Sequence, residues 1–287
     1  MKYLSHYIIS GVLILSGILS YAFYKKSIAE EREILENATY TIVNSWELPT
    51  LLDEVSGIAW VNDSTIACIQ DENGVIYNFN LNTGEISNDI TFGEDGDYEA
   101  IALHENDAYV MRSDGRIFEV KSFTSDTVAP RYFDTSFKSK NNMESLTYNP
   151  KTKSLVTIAK DKGLDKDRYK GLYSIPLATK ILDEKPLFKI DMQAKEFEAF
   201  QTKKEEKTFN PSDIAIHPKT GEYYIVDGKK PKLLILSATG TIKRVHELNK
   251  YHFAQPESIT FSPNGTLYIA NEAADGVATL LEVTLKK

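Results

Sequence analysis

The sequence of 287 residues has a single cysteine, Cys68. No disulfide can form within the chain, and a cysteine-built zinc site is excluded. A basic surplus is also missing: 33 Lys and Arg stand against 41 Asp and Glu, for a net charge of −8. Phosphate backbones need a basic face, so a nucleic-acid partner is set aside. The five histidines form no His-Glu-x-x-His motif. There is no Gly-x-Ser-x-Gly elbow, no P-loop and no dinucleotide fingerprint. Long apolar runs are scarce too, with one exception at the start of the chain.

That exception covers residues 7–24, 18 residues without a charge. The length is near the lower limit for a helix crossing a bilayer. Tyr7, Tyr21 and Tyr24 stand near its ends, where aromatic rings favour the interface. The pattern predicts a transmembrane anchor over 1–24. A signal peptide cleaved near Ser20-Tyr21-Ala22 is the alternative. Residues 25–38 read as a charged stalk, and residues 39–287 as the folded domain. Either reading of the leader places that domain outside the cytoplasm, at the cell membrane or, after cleavage, secreted or periplasmic.

What is abundant is a repeat. Five copies of one pattern occur: Glu54-Val-Ser-Gly-Ile-Ala-Trp60, Asp97-Tyr-Glu-Ala-Ile-Ala-Leu103, Asn142-Met-Glu-Ser-Leu-Thr-Tyr148, Asn210-Pro-Ser-Asp-Ile-Ala-Ile216 and Gln255-Pro-Glu-Ser-Ile-Thr-Phe261. Their starts lie 43, 45, 68 and 45 residues apart. Each continues through a turn into a second apolar strand, then a third and often a fourth. A period in the forties built of short strands predicts an all-β propeller. Five blades are expected, with the wide gap holding a charged insertion; a sixth, degenerate blade is the alternative. The last copy has only three strands, and Thr39 to Trp46 offers a fourth to close the ring.

First strands of propeller blades line the channel. The third position of each copy reads Ser56, Glu99, Glu144, Ser212 and Glu257, and Asp213 follows in the small-residue slot. The serines read as structural or water-binding positions. Fifteen residues after Ser56, Glu99, Ser212 and Glu257 stand Asp71, Asp114, Asp227 and Glu272. Asp161 follows Glu144 by 17, the difference being assigned to a longer turn around Lys151. Antiparallel pairing returns the second strand to the face where the first began. Both sets are therefore expected at one channel mouth. Crowded carboxylates raise one another's pKa unless a cation offsets them. An all-oxygen set suits calcium, so these nine acids are the candidate metal ligands. Turn chemistry alone also selects Asp before Gly, and that reading stays open for the outer five. Hydrogen bonding to channel N–H groups stays open for the three glutamates.

Gly57-Ile-Ala-Trp60, Gln70-Asp-Glu-Asn-Gly74, Gly96-Asp-Tyr-Glu-Ala-Ile101, Arg112-Ser-Asp-Gly115 and Gln255-Pro-Glu-Ser-Ile259 resemble the SdiA-regulated (YjiK-like) bacterial propeller family, distantly phytase-like. The resemblance runs from about residue 45 to the end. It implies an envelope-located propeller with links to calcium binding. Ala100 and Ser258 stand where that family usually has Gly, and Lys195 to Lys207 is an added charged stretch. The expected function is divalent-cation binding in calcium sensing or envelope interactions, by a monomer. An envelope protein or small molecule is the further partner. The alternative is a calcium-dependent phosphoric-ester hydrolase using Arg112, Lys160, Lys162, Lys229 and Lys230; charge balancing of adjacent acids is the plainer role for these bases.

Overall fold

The computed structural model describes residues 20–26, 28, 36–125, 128–164, 168–274 and 276–286. Twenty strands form five four-stranded antiparallel sheets. Strand β1 (Tyr40–Glu47) comes first in the chain. Blade 1 follows as β2 (Val55–Asn62), β3 (Thr65–Gln70), β4 (Val75–Asn80) and β5 (Glu85–Thr91). Blade 2 is β6 (Tyr98–His104), β7 (Asp107–Arg112), β8 (Arg116–Val120) and β9 (Arg131–Asp134). Blade 3 is β10 (Thr147–Asn149), β11 (Ser154–Ile158), β12 (Tyr169–Pro176) and β13 (Phe188–Asp191). Blade 4 is β14 (Pro211–Ile216), β15 (Tyr223–Asp227), β16 (Lys232–Leu236) and β17 (Ile242–Glu247). Blade 5 is β18 (Pro256–Phe261), β19 (Leu267–Asn271) and β20 (Thr279–Leu285), completed by β1.

The first strands touch in the order β2, β6, β10, β14, β18 and back to β2. The ring is closed with five blades, and the six-blade alternative is not found. Strand β1 pairs with β20 from Tyr40–Leu285 to Glu47–Thr279, as the extra strand ahead of the first repeat led one to expect. Closure covers a sheet edge that would otherwise present unpaired N–H and C=O groups. The wide fourth gap is an insertion. It holds short 3-10 helices at Lys195–Phe200 and Glu205–Lys207, and Phe197 from it is buried against Phe209.

The apolar residues form five clusters, one at each interface between blades. Middle strands such as β11 and β16 are buried along their whole length, whereas the outermost β1 and β17 are mostly exposed. A strand covered on both faces needs a continuous apolar run, and one at the rim does not. The leader is a different matter: residues 1–19 lie outside the described residues, 20–26 are helical, and no helix among the described residues is long and apolar enough to cross a membrane. Most of the apolar run 7–24 and of the stalk 25–38 therefore lies outside the described residues.

One backbone device recurs. Val55 pairs with Gln70 and Gly57 with Ile69, so Ser56 has no partner across the ladder. The same bulge leaves Glu99, Ser212 and Glu257 unpaired in blades 2, 4 and 5. A bulge inserts one residue and re-aims its side chain. The next position must be small because neighbouring first strands pass close together at the axis. A Cβ on Gly57 would stand 2.8 Å from the Ile69 side chain and 3.0 Å from the Ile101 nitrogen.

Candidate functional site: the acidic mouth of the channel

Two of the bulge positions, Glu99 and Glu257, carry glutamate, and Glu144 follows the Met143–Ala159 bridge at the matching place in blade 3. Glu144 and Glu257 both reach the ammonium of Lys160, from the end of blade 3's second strand; the Glu257 contact is 3.5 Å. Glu99 is close enough for Glu144, Glu257 and Lys160 all to act on its ionisation. Asn142 also donates to Glu144 Oε1 at 2.5 Å. Gly228 leaves room for Glu257, since a Cβ there would lie 2.6 Å from Glu257 Oε1. The structure thus brings Glu144 and Glu257 onto one ammonium of the chain itself, with Glu99 near enough to feel all three charges.

One ammonium against three carboxylates leaves a surplus of negative charge in a poorly hydrated mouth. Burial, reinforced by Glu144 and Asp97, pushes the Glu99 carboxyl up to about 9. Burial also raises Glu144, to about 7, with Lys160 opposing and Glu257 reinforcing the shift. Glu257 is raised by burial against the pull of Lys160. For Lys160, burial disfavours the charge but Glu257 and Glu144 more than offset it, and its pKa lies well above the ordinary value. At neutral pH the mouth holds a protonated Glu99 beside a charged Lys160 and a Glu144 close to its own titration point.

Lys160 is itself held from behind. The buried Lys170 ammonium donates to the carbonyls of Lys160 at 2.7 Å and Asp161 at 2.9 Å, and Asn210 Nδ2 donates to the Lys160 carbonyl at 3.3 Å. Burial lowers the Lys170 pKa to about 8, Asp161 opposing. Lys170 and its blade-4 counterpart Lys232 were not singled out from sequence. The available signal was a lone lysine in an otherwise apolar strand, Tyr169–Pro176 and Lys232–Leu236.

The outer acids are not one ring. Equal counting along the sequence hides unequal hairpins: Gly57 pairs twelve residues on with Ile69, Ala100 eleven on with Met111, Asp213 thirteen on with Val226. Fifteen residues from the bulge therefore reach different heights in blades 1, 2 and 4, while blade 5, where Ser258 pairs twelve residues on with Ala270, matches blade 1. The longer turn expected near Lys151 is not the cause of the odd spacing at Asp161. Its loop, 150–153, is shorter than 217–222 in blade 4; Met143 instead pairs with Ala159, which takes the place of Asp227, and Asp161 lies two residues beyond.

Each outer acid has its own surroundings. Asp227 is buried and bonds Lys232 Nζ at 2.6 Å and the Asn210 nitrogen at 2.9 Å. Asp114 is paired to Arg112 at 2.6 Å and 3.0 Å, and its carboxylate is lowered by that bond. Asp161 is exposed. Glu272 bonds Gln255 and is raised to about 8 by burial and by Glu54. Asp71 is raised by burial, Glu54 and Glu72, and its Oδ1 is buried without a hydrogen-bond partner among the described residues. Asp213 is a latch. It accepts from Ser258 Oγ at 2.7 Å, the Ile259 nitrogen at 3.0 Å and the Leu146 nitrogen at 3.3 Å, joining blades 3, 4 and 5; burial raises it to about 8. Ser56 and Ser212 donate to the carbonyls of Tyr98 and Pro256 in neighbouring blades, which is the structural role expected of them.

The donor chemistry of the inner mouth, carboxylate oxygens throughout, fits a hard cation. Among the described residues, however, no group of three or more His, Cys, Asp or Glu side chains is arranged to hold a metal ion. No family model matches the sequence, and no curated protein matches it. The fold is similar to that of Myxococcus xanthus glutaminyl cyclase, with a TM-score of 0.58, 14% identity, and 86% of this chain and 96% of that chain covered. It is also similar to a chain of the mitotic checkpoint complex, with a TM-score of 0.50, 10% identity, and 84% and 91% covered. At such identities the likeness shows the propeller fold alone.

Proposed function

We propose that the channel mouth is a cation-binding site in which Lys160 is the chain's own occupant, and that a divalent cation, calcium first, competes for the same carboxylates. The observation that carries this reading is the ratio of three glutamates to one ammonium. Glu99 keeps its proton because it is buried and its neighbours Glu144 and Asp97 add repulsion, and a doubly charged ion offsets more of both than an ammonium does. Glu99, Glu144 and Glu257 supply the oxygens, and Glu99 gives up its proton on binding. The raised pKa of Glu99 tunes the affinity, which rises as pH approaches about 9.

The bases first set out for phosphate divide in a telling way. Lys160 is held by Glu144 and Glu257, and Arg112 by Asp114; Lys162, Lys229 and Lys230 are exposed. That division favours binding over phosphoric-ester hydrolysis. The apolar run 7–24 supports a tether that holds the propeller at the outer side of a membrane, and the resemblance to SdiA-regulated propellers supports an envelope role.

The test is calorimetric titration of the purified protein with calcium at pH 8, compared with Lys160→Met and Glu99→Gln. Removing the competing ammonium should tighten binding by roughly tenfold or more, and removing Glu99 should weaken it by a similar factor. Absence of calcium-dependent heat in both the parent protein and Lys160→Met overturns the reading.

A further inference from the structure

At the other end of the first strands, between blades 3 and 4, lies a cavity of about 420 Å³. That is within the size range of small-molecule sites, roughly 300–1,000 Å³. Tyr148, Phe188 and Tyr223 give it aromatic walls, and no Asp or Glu lines it. In a chain with a net charge of −8 this is an unusual stretch of surface.

Two donors face the cavity without acceptors. The Lys151 side chain lies over Gly221, its Nζ 3.0 Å from where a Cβ would stand, and it makes no ion pair among the described residues. Tyr223 accepts from Asn149 Nδ2 at 3.2 Å, and its own hydroxyl hydrogen has no acceptor among the described residues. The nearest carboxylate along the chain, Glu222, is already bound by Lys243 and Thr220. Gly221 keeps the wall open. Its φ is +71°, a conformation that side-chain-bearing residues rarely adopt.

We propose that this cavity binds a small aromatic carboxylate, the ring lying between Tyr148 and Phe188 and the carboxylate meeting Lys151 and the Tyr223 hydroxyl. Apolar aromatic walls with a few convergent donors are what such a ligand requires: the walls hold the ring and the ammonium selects the charge. The site is independent of the acidic mouth, which lies at the opposite end of the channel strands.

Titration calorimetry with indole-3-acetate, and with indole as the uncharged comparison, tests this. Saturable binding of indole-3-acetate is expected, weakened about tenfold by Lys151→Met while indole is unaffected. Ala238→Phe, at an exposed position on the cavity rim, should block both ligands without touching the core. No saturable binding of either probe at millimolar concentration overturns the proposal, as does Lys151→Met leaving indole-3-acetate binding unchanged. Calcium titration of Lys151→Met should match the parent protein; if it does not, the two ends of the channel are coupled and the claimed independence fails.

Discussion

The inner glutamates and the outer acids occupy the same end of the same channel, yet they are stabilised in opposite ways. Glu144 and Glu257 share one ammonium with Glu99 in its field, whereas Asp227, Asp114 and Glu272 each find a separate partner in Lys232, Arg112 and Gln255. The backbone explains the contrast. A bulge fixes the inner positions at one height in blades 1, 2, 4 and 5, and the Met143–Ala159 bridge sets Glu144 beside it in blade 3, while hairpins of unequal length scatter the outer ones. A shared cation makes the inner set a single electrostatic unit that can exchange its occupant. Private partners make the outer set parts of the scaffold.

Substitutions can break that contrast, and the largest effect is expected in the outer set. Asp227→Asn leaves Lys232 buried and unpaired, which should cost about 3–5 kcal/mol in chemical denaturation with no dependence on calcium. Lys160→Met comes next, with a loss of about 2 kcal/mol at pH 8 that is recovered near pH 5, where the glutamates take up protons. The same protein should regain stability with calcium, through linkage.

Glu99→Gln acts in the other direction. The folded Glu99 titrates at about 9, above its ordinary value of 4.5. Between those two values the folded state holds a proton that the unfolded state has released, so stability falls as pH rises. The glutamine variant should therefore be more stable than the parent at pH 8, by a margin that grows as pH rises from 4.5, and equal to it near pH 4, read from denaturation midpoints across that range. The smallest effect belongs to Asp114→Asn. Its pair with Arg112 is about a third exposed, and a change of about 0.5 kcal/mol is expected, with calcium titration unaltered.

The ring, its five blades and its closure by Thr39 to Trp46 were all legible in the sequence, because in-phase duplication writes the same apolar alternation five times. The nearness of Glu144 and Glu257, which meet at Lys160, follows from the same duplication. What counting could not supply was register. Ser56 to Asp71 and Ser212 to Asp227 span the same number of residues, but Asp71 lies one residue past the ladder and Asp227 lies within it, because the hairpins between them differ in length. Nor could counting show which cation offsets the glutamates. Lys160 stands in an ordinary turn beside Asp161, and only the fold aims its ammonium at Glu257 of blade 5 as well as at Glu144 of its own blade. Lys170 and Lys232 carried a local sign, one charge in an apolar strand, that gains meaning once the carbonyls and carboxylate behind them are in place.

The electrostatic coupling of Glu99, Glu144 and Glu257 to the single ammonium of Lys160 is tested most directly by carbon-13 NMR of the glutamate side-chain carboxyls across pH. Glu99 should titrate near 9 and Glu144 near 7 in the parent protein, and both should move higher in Lys160→Met. Titration of Glu99 and Glu144 near 4.5, unmoved by the loss of Lys160, would contradict it.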